Sequence, residues 1–158
     1  MRKALLGTSL ATAVAAGVGG AAGREGVQGW YRSIRKPRYV PPDAAFPIAW
    51  SILYTDIALT SAAAINRFRA DGKDGKARAY SAALGANLML NAGFSWVFFN
   101  RRQTGRGAIV AGLLAASSAD LVRRAADADP KLGVALAPYP LWCGFATVLS
   151  VGIWRLNR

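Results

Sequence analysis

The stretch that decides the fold is KPRYVPPDAAFPIAWSILYTDIALTSAAAI, residues 36–65. Its first part sets Lys36 and Arg38 among Pro37, Pro41 and Pro42. Each of these prolines lacks an N–H and biases the preceding residue toward extended backbone, so this part cannot continue as helix. Its second part turns apolar, and from Phe46 to Ile65 the sole charged side chain is Asp56. A helix rising about 1.5 Å per residue needs about 20 mostly apolar residues to cross a hydrocarbon layer of about 30 Å. Pro47 falls in the first turn of such a helix, where its missing N–H costs little. The stretch therefore reads as a stiff basic loop feeding a membrane-spanning helix.

The same rhythm extends outward in both directions. Spans are expected at about 4–23, 44–66, 79–100, 107–126 and 132–154, giving an all-α membrane protein, a five-transmembrane-helix bundle in a single domain over 1–158. The linkers ADGKDGKA (70–77), RRQTGRG (101–107) and DADPK (127–131) carry the glycines, prolines and charges that end helices. Composition agrees: 53% of the residues are hydrophobic and only 18% charged, with a mean hydropathy of +0.22. A net charge of +12 would first suggest nucleic acid. The basic residues, however, fall in short groups between almost uncharged stretches, so they belong at lipid headgroups and no nucleic-acid partner is expected.

Lys and Arg divide ten to ten between the two sides of five spans, so the positive-inside rule does not orient the chain. The first segment, MRKALLGTSLATAVAAG, has the basic start, short apolar core and Ala-x-Ala ending of a secretory signal, yet its apolar, small-residue character runs on to Gly23 as in a packed span. Residues alone leave both readings open. With one cysteine, Cys143, no histidine and eight scattered acids, no metal site is expected.

Within the spans, Asn87, Asn91 and Ser95 recur at four-residue spacing and share one helical face. Amides in hydrocarbon need partners, so this face should turn inward, toward another helix or toward a polar ligand. Phe46, Trp50 and Tyr54 form an aromatic ridge, and Tyr139, Trp142 and Ala146 a second. Facing each other, the two would line a flat slot. Trp30 and Trp154, at segment ends, read as interfacial anchors, whereas for the deeper Trp50 and Trp142 anchoring and ligand contact both stand. Asp56 lies near mid-span, where an ionised carboxylate costs about 2.5–3.5 kcal/mol, so it should be protonated, paired or facing a wet cavity. Asp120, with Arg123 and Arg124 one turn on, reads as a helix-end ion pair.

These residues resemble a known family. WYRSIRKPRYVPPDAAFPIAWSILY (30–54) is similar to the W-Y-x-x-L-x-K-P-x-W-x-P-P-x-x-x-F-x-x-x-W-x-x-L-Y signature of the translocator proteins, or tryptophan-rich sensory proteins (TspO/MBR). NLMLNAGFSWVFF (87–99) and PYPLWCGFATVLSVGIWRLN (138–157) agree in order, so the resemblance covers about residues 24–158. It implies a five-helix bundle retaining the first segment, usually a homodimer, whose pocket is closed by the first loop, in a multi-pass protein of a bacterial cell membrane. Family members bind porphyrins such as protoporphyrin IX, some bind sterols or benzodiazepine-type compounds, and some bacterial members promote light-dependent porphyrin breakdown.

By matched position, Trp50 and Trp142 look like the paired pocket tryptophans, while Tyr54, Asn87, Asn91, Phe94 and Ala146 look like further lining. Trp30, Pro41 and Pro42 look like loop and mouth elements. Phe46 and Tyr139 join the expected ligand-binding set through their ridges, and Arg35 and Lys36 are placed to meet ligand carboxylates. The chain departs from the pattern at Ile34 for Leu, Tyr39 for Trp, Asn100 for Gly, Val110 for an acid and Ser150 for Asn. Val151 stands where the sterol-recognition pattern needs Tyr, which puts sterol binding in doubt, and Asp56 is peculiar to this chain.

The resulting expectation is a membrane sensor or carrier of porphyrin-type ligands that requires no cofactor. Light-dependent porphyrin degradation beside Trp50 and Trp142 is the alternative; it would be driven by the ligand's own photochemistry, because no nucleophile, base or cofactor motif is present. A scaffold without a small-molecule ligand is the third reading.

Overall fold

The computed structural model describes the backbone of residues 2–158 and the side chains of residues 3–21 and 29–158. Its helices are α1 (Arg2–Gln28), α2 (Trp30–Ser33), α3 (Ala45–Ala70), α4 (Asp74–Ser95), α5 (Thr104–Ala128), α6 (Pro130–Leu136) and α7 (Pro138–Leu156). Five segments are long and apolar enough to cross a membrane: α1, α3, α4 with its extension, α5, and α6 with α7. Each overlaps one expected span. Three local features were not anticipated. The loop before α3 contains the short helix α2, α4 runs on into a π-helical turn over Trp96–Asn100, and the fifth span breaks at Ala137. Pro138 and Pro140 explain that break, because neither can donate to the preceding turn.

Around the bundle the spans run α1, α3, α6 with α7, α5, α4 and back to α1, with α5 lying along α7 and α1 wedged between α3 and α4. The chemistry of α1 shows what holds such a bundle together. Leu6, Leu10, Val14 and Val18 recur every fourth residue and are all exposed, while Ala4, Thr8, Thr12, Ala15 and Gly19 face inward. Lipid tails are as apolar as leucine, so burying leucine between helices gains little; small residues that let backbones approach, and hydroxyls that bond across, serve better. Thr8 Oγ1 accordingly donates to the carbonyl of Ala58 on α3 at 2.8 Å. A Cβ on Gly19 would lie 3.2 Å from Ser95 Oγ on α4.

The end of the bundle away from the proline loop is tightly packed around Phe68, Tyr80, Leu121 and Leu136, with Ser61 Oγ and Tyr80 OH 3.1 Å apart. At the loop end a second cluster forms on Tyr31, Phe98, Leu149 and Ile153. Gly107 admits it: a Cβ there would stand 2.6 Å from the Phe98 ring, so α5 reaches the π turn only because it carries no side chain at that point.

The proline loop is fastened to the end of α7. Asn157 Oδ1 accepts from the Arg35 N–H at 3.0 Å, and its Nδ2 donates to the carbonyls of Arg35 and Ile153, each at 2.8 Å. Tyr39, where the family pattern has Trp, donates its hydroxyl to the Val148 carbonyl at 3.3 Å. Gly152 supplies the space, since a Cβ there would lie 2.8 Å from Pro37 Cγ and would run into the Tyr39 hydroxyl. Replacing Gly152 by valine is therefore expected to lift the loop while leaving the helices intact. Overpacking of this kind costs about 1–3 kcal/mol, so tryptic cleavage after Arg35 or Arg38 should accelerate about tenfold with unchanged far-ultraviolet circular dichroism. Unchanged cleavage would show that the loop is held elsewhere.

Candidate functional site

Between the two packed clusters lies a cavity of about 640 Å³. Phe46, Pro47, Trp50, Ser51 and Tyr54 of α3, Asn91, Phe94 and Ser95 of α4, Phe98 and Phe99 of the π turn, and Trp142, Ala146, Leu149, Ser150 and Ile153 of α7 line it. Ala16, Gly19 and Gly20 of α1 close one side, and Tyr31 and Asp43 stand at the loop end.

The aromatic ridges of α3 and α7 are arranged differently from the slot expected between them. Phe46 meets Trp142 edge to face with centroids 6.0 Å apart, and Trp50 meets Tyr139 in the same manner at 6.4 Å. The ridges thus interlock into one wall. The opposing aromatic surface comes from Phe94, stacked on Phe98 at 5.5 Å, with Phe99 edge-on to Phe98 at 4.9 Å. Helical periodicity favours Phe94 and Phe98 on one face, but the π turn widens the helix by a residue and brings Phe99 to the same cavity.

The polar stripe of α4 divides between two roles. Asn87 is fully buried behind the cavity; its Nδ2 donates to Ser117 Oγ at 3.1 Å and Ser118 Oγ at 3.2 Å, and its Oδ1 accepts from Tyr139 OH at 2.8 Å. Asn91 reaches the cavity, accepting from Tyr54 OH at 2.7 Å and donating to Tyr139 OH at 3.3 Å. One continuous chain of hydrogen bonds therefore joins α3, α4, α5 and α7 through Tyr54, Asn91, Tyr139 and Asn87. This is what satisfies the amides in hydrocarbon.

Of the residues singled out from sequence, Phe46, Trp50, Tyr54, Asn91, Phe94, Trp142 and Ala146 share the cavity wall. Asn87 and Tyr139 sit behind it as supports. Trp30 packs edge-on to Phe98 at 6.0 Å, outside the lining. Pro41 and Pro42 shape the loop, where the Pro42 carbonyl accepts from the Ala45 N–H at 2.8 Å. Arg35 is engaged through its backbone with Asn157, and Lys36 Nζ lies 4.4 Å from the centre of the Tyr31 ring, on a residue that itself lines the cavity. Neither base lines the cavity, and among the described residues the one charged lining residue is the acid Asp43. Burial and the Asp43 carboxylate push the Tyr31 phenol above its ordinary value, so Tyr31 presents a neutral hydroxyl there.

The lining residues that sequence reasoning missed include the small ones of α1, which carry no side-chain signal, together with Tyr31, Asp43, Ser51, Phe98, Phe99, Leu149 and Ile153. Asp56 does not join the cavity; its Oδ1 accepts from Thr60 Oγ1 at 2.8 Å, and its buried Oδ2 has no partner among the described residues. Asp120 takes Arg123 and Arg124 as expected, with the Arg123 Nη2 contact at 2.6 Å. No group of histidine, cysteine and acid side chains suited to a metal occurs among the described residues.

A model of the TspO/MBR family matches residues 8–155, the stretch that holds nearly all of the five spans, the proline loop and the lining of the cavity. The chain belongs to the TspO/MBR family. It is 32% identical over 130 residues to the Bacillus subtilis membrane protein YtaB, covering 82% of this chain and 81% of that one. A tryptophan-rich sensory protein of Cereibacter sphaeroides is 32% identical over 128 residues, covering 81% and 77% of the two chains. The human translocator protein is 27% identical over 129 residues, covering 82% and 75%. The TspO/MBR match takes in α1 from Thr8 onward, the segment for which the residues left two readings, and the fold packs that helix as a wall of the cavity. This TspO/MBR chain is thus an integral, multi-pass membrane protein.

Proposed function

We propose that the cavity binds a porphyrin-type tetrapyrrole such as protoporphyrin IX, and that the protein serves as a membrane sensor or carrier of that ligand. The observation that carries this reading is the shape and chemistry of the cavity. Its volume of about 640 Å³ falls within the range of small-molecule sites, and two aromatic surfaces bound it with Tyr54, Asn91 and Ser150 as interspersed polar groups. Offset or edge contacts with Trp50, Trp142 and Phe94 suit a flat apolar macrocycle. A metal-free ring needs no axial histidine, and the chain has none. Homodimerisation belongs to the same proposal: Ala82, Gly85 and Ala86 of α4 form an exposed patch of small residues, and a Cβ added at Gly85 would meet nothing within 4 Å.

The test is a titration of the purified protein with protoporphyrin IX, following quenching of its five tryptophans, and then illumination. Saturable one-site quenching supports the proposal, and its absence removes it. A light-dependent product that forms only with the protein would favour degradation over carriage. Asp43 adds a sharper arm, because its charge in the lining opposes the two propionates of a porphyrin. Asp43 is exposed, so solvent screens it. Asp43→Asn is expected to tighten the dianionic porphyrin about threefold at low ionic strength while leaving the uncharged dimethyl ester unchanged. Equal changes for both ligands would mean that Asp43 acts on shape and not on charge.

A further inference from the structure

A second recess lies on the outside of the bundle at its loop end, between the π turn and the start of α5. Its volume is about 410 Å³, and Trp96, Val97, Arg101, Arg106, Ile109 and Val110 form it. None of these residues lines the interior cavity. Depth sorts them by chemistry. Arg101 lies in the turn between two spans that end at Asn100 and begin at Thr104, and Arg106 is within the first turn of the second, so both guanidinium groups stand at headgroup level. Trp96 and Ile109, both exposed, lie on the hydrocarbon side, where they flank a greasy channel running down from the arginines.

Among the described residues neither guanidinium has an acidic partner. Every ion pair among the described residues, from Arg67–Asp71 and Lys76–Asp127 to Asp120 with its two arginines, lies at the opposite end of the bundle. At the recess the only side-chain hydrogen bond among the described residues is Arg106 Nη1 donating to Gln103 Oε1 at 3.2 Å, a neutral acceptor that leaves the charge unneutralised. Two arginines above an apolar groove match an anionic headgroup above an acyl chain. Arginine suits phosphate because its planar fork donates two parallel hydrogen bonds. We infer that this recess is a binding site for one anionic phospholipid, its phosphate held by Arg101 and Arg106 and its chain lying along Trp96 and Ile109.

Trp96 makes the site readable. The full-length protein is reconstituted in phosphatidylcholine nanodiscs containing a small fraction of either phosphatidylglycerol or phosphatidylcholine brominated on its acyl chains, and tryptophan quenching is compared. Brominated phosphatidylglycerol is expected to be enriched beside Trp96 about tenfold over brominated phosphatidylcholine at low salt. The excess should disappear in Trp96→Phe, which removes the reporter, and fall below about twofold in Arg101→Gln/Arg106→Gln, while Arg101→Lys/Arg106→Lys retains part of it. Equal quenching by the two lipids overturns the inference, as does an excess that survives the glutamine pair or the loss of Trp96. Abolition of the excess by inorganic phosphate, but not by sodium chloride of equal ionic strength, would mean that the arginines select a free anion and would also overturn it. If the glutamine pair fails to fold, the salt dependence of the wild-type excess and the lysine pair decide the matter.

Discussion

Replacing Asn87 by leucine is expected to lower the thermal midpoint of the solubilised protein by about 4–8 °C, although the two side chains have the same branched shape. Asn87 is completely buried and holds Tyr139, Ser117 and Ser118 at once. Interhelical hydrogen bonds in membranes contribute about 0.6 kcal/mol on average and up to about 1.7, so losing this node should cost about 2 kcal/mol in all. At about 2–4 °C per kcal/mol for a chain of this size, the loss gives a shift of that order. The largest share falls on Tyr139, whose hydroxyl then has no acceptor. Tyr139→Phe in the Asn87→Leu background should accordingly cost little more, and a double-mutant cycle measures this directly. Strictly additive losses would show that the two side chains do not act through their shared bond.

The second large effect concerns ligand affinity. Trp50→Ala and Trp142→Ala should each weaken protoporphyrin IX binding about 30-fold, the loss typical of a buried aromatic anchor, whereas the phenylalanine variants should lose about three- to tenfold. The tolerance of phenylalanine follows from the structure: Trp142 Nε1 has no hydrogen-bond partner among the described residues, so its replacement by a smaller ring orphans nothing. Trp142→Ala also removes the edge contact that steadies Phe46, and the Phe46 ring should then gain mobility without loss of helix. Alanine variants that bind as the wild type does would remove these two tryptophans from the site.

The spans were legible because each is a run of apolar residues bounded by charges, glycine or proline, and length alone then decides what crosses a bilayer. The cavity was partly legible, because residues at three- and four-residue spacing must share a helical face wherever the partner helices lie. Periodicity says nothing, however, about which face meets which. It could not show that the α3 and α7 ridges interlock, leaving the opposite wall to Phe94, Phe98 and Phe99. Phe99 escaped because a π turn breaks the period on which the reasoning rests. Asn87 and Asn91, alike in sequence, separate into a support and a wall residue only through the depth of Tyr139, a long-range contact without local trace. Asp43 was hidden among prolines in a loop whose path depends on Gly152 and Asn157, more than a hundred residues away.

The small residues of α1 have a consequence for how occupancy is measured. On that side the cavity is bounded by Ala16, Gly19 and Gly20, so a solute dissolved in the bilayer is separated from it by one helix that presents no side chain larger than a methyl to the cavity. An apolar solute is far more abundant in that layer than in the surrounding water. The dose that sets loading is therefore two-dimensional, the number of solute molecules per lipid. Doubling the lipid at constant total solute should about halve the loading of a site far from saturation, even though the nominal concentration, total solute per sample volume, is unchanged.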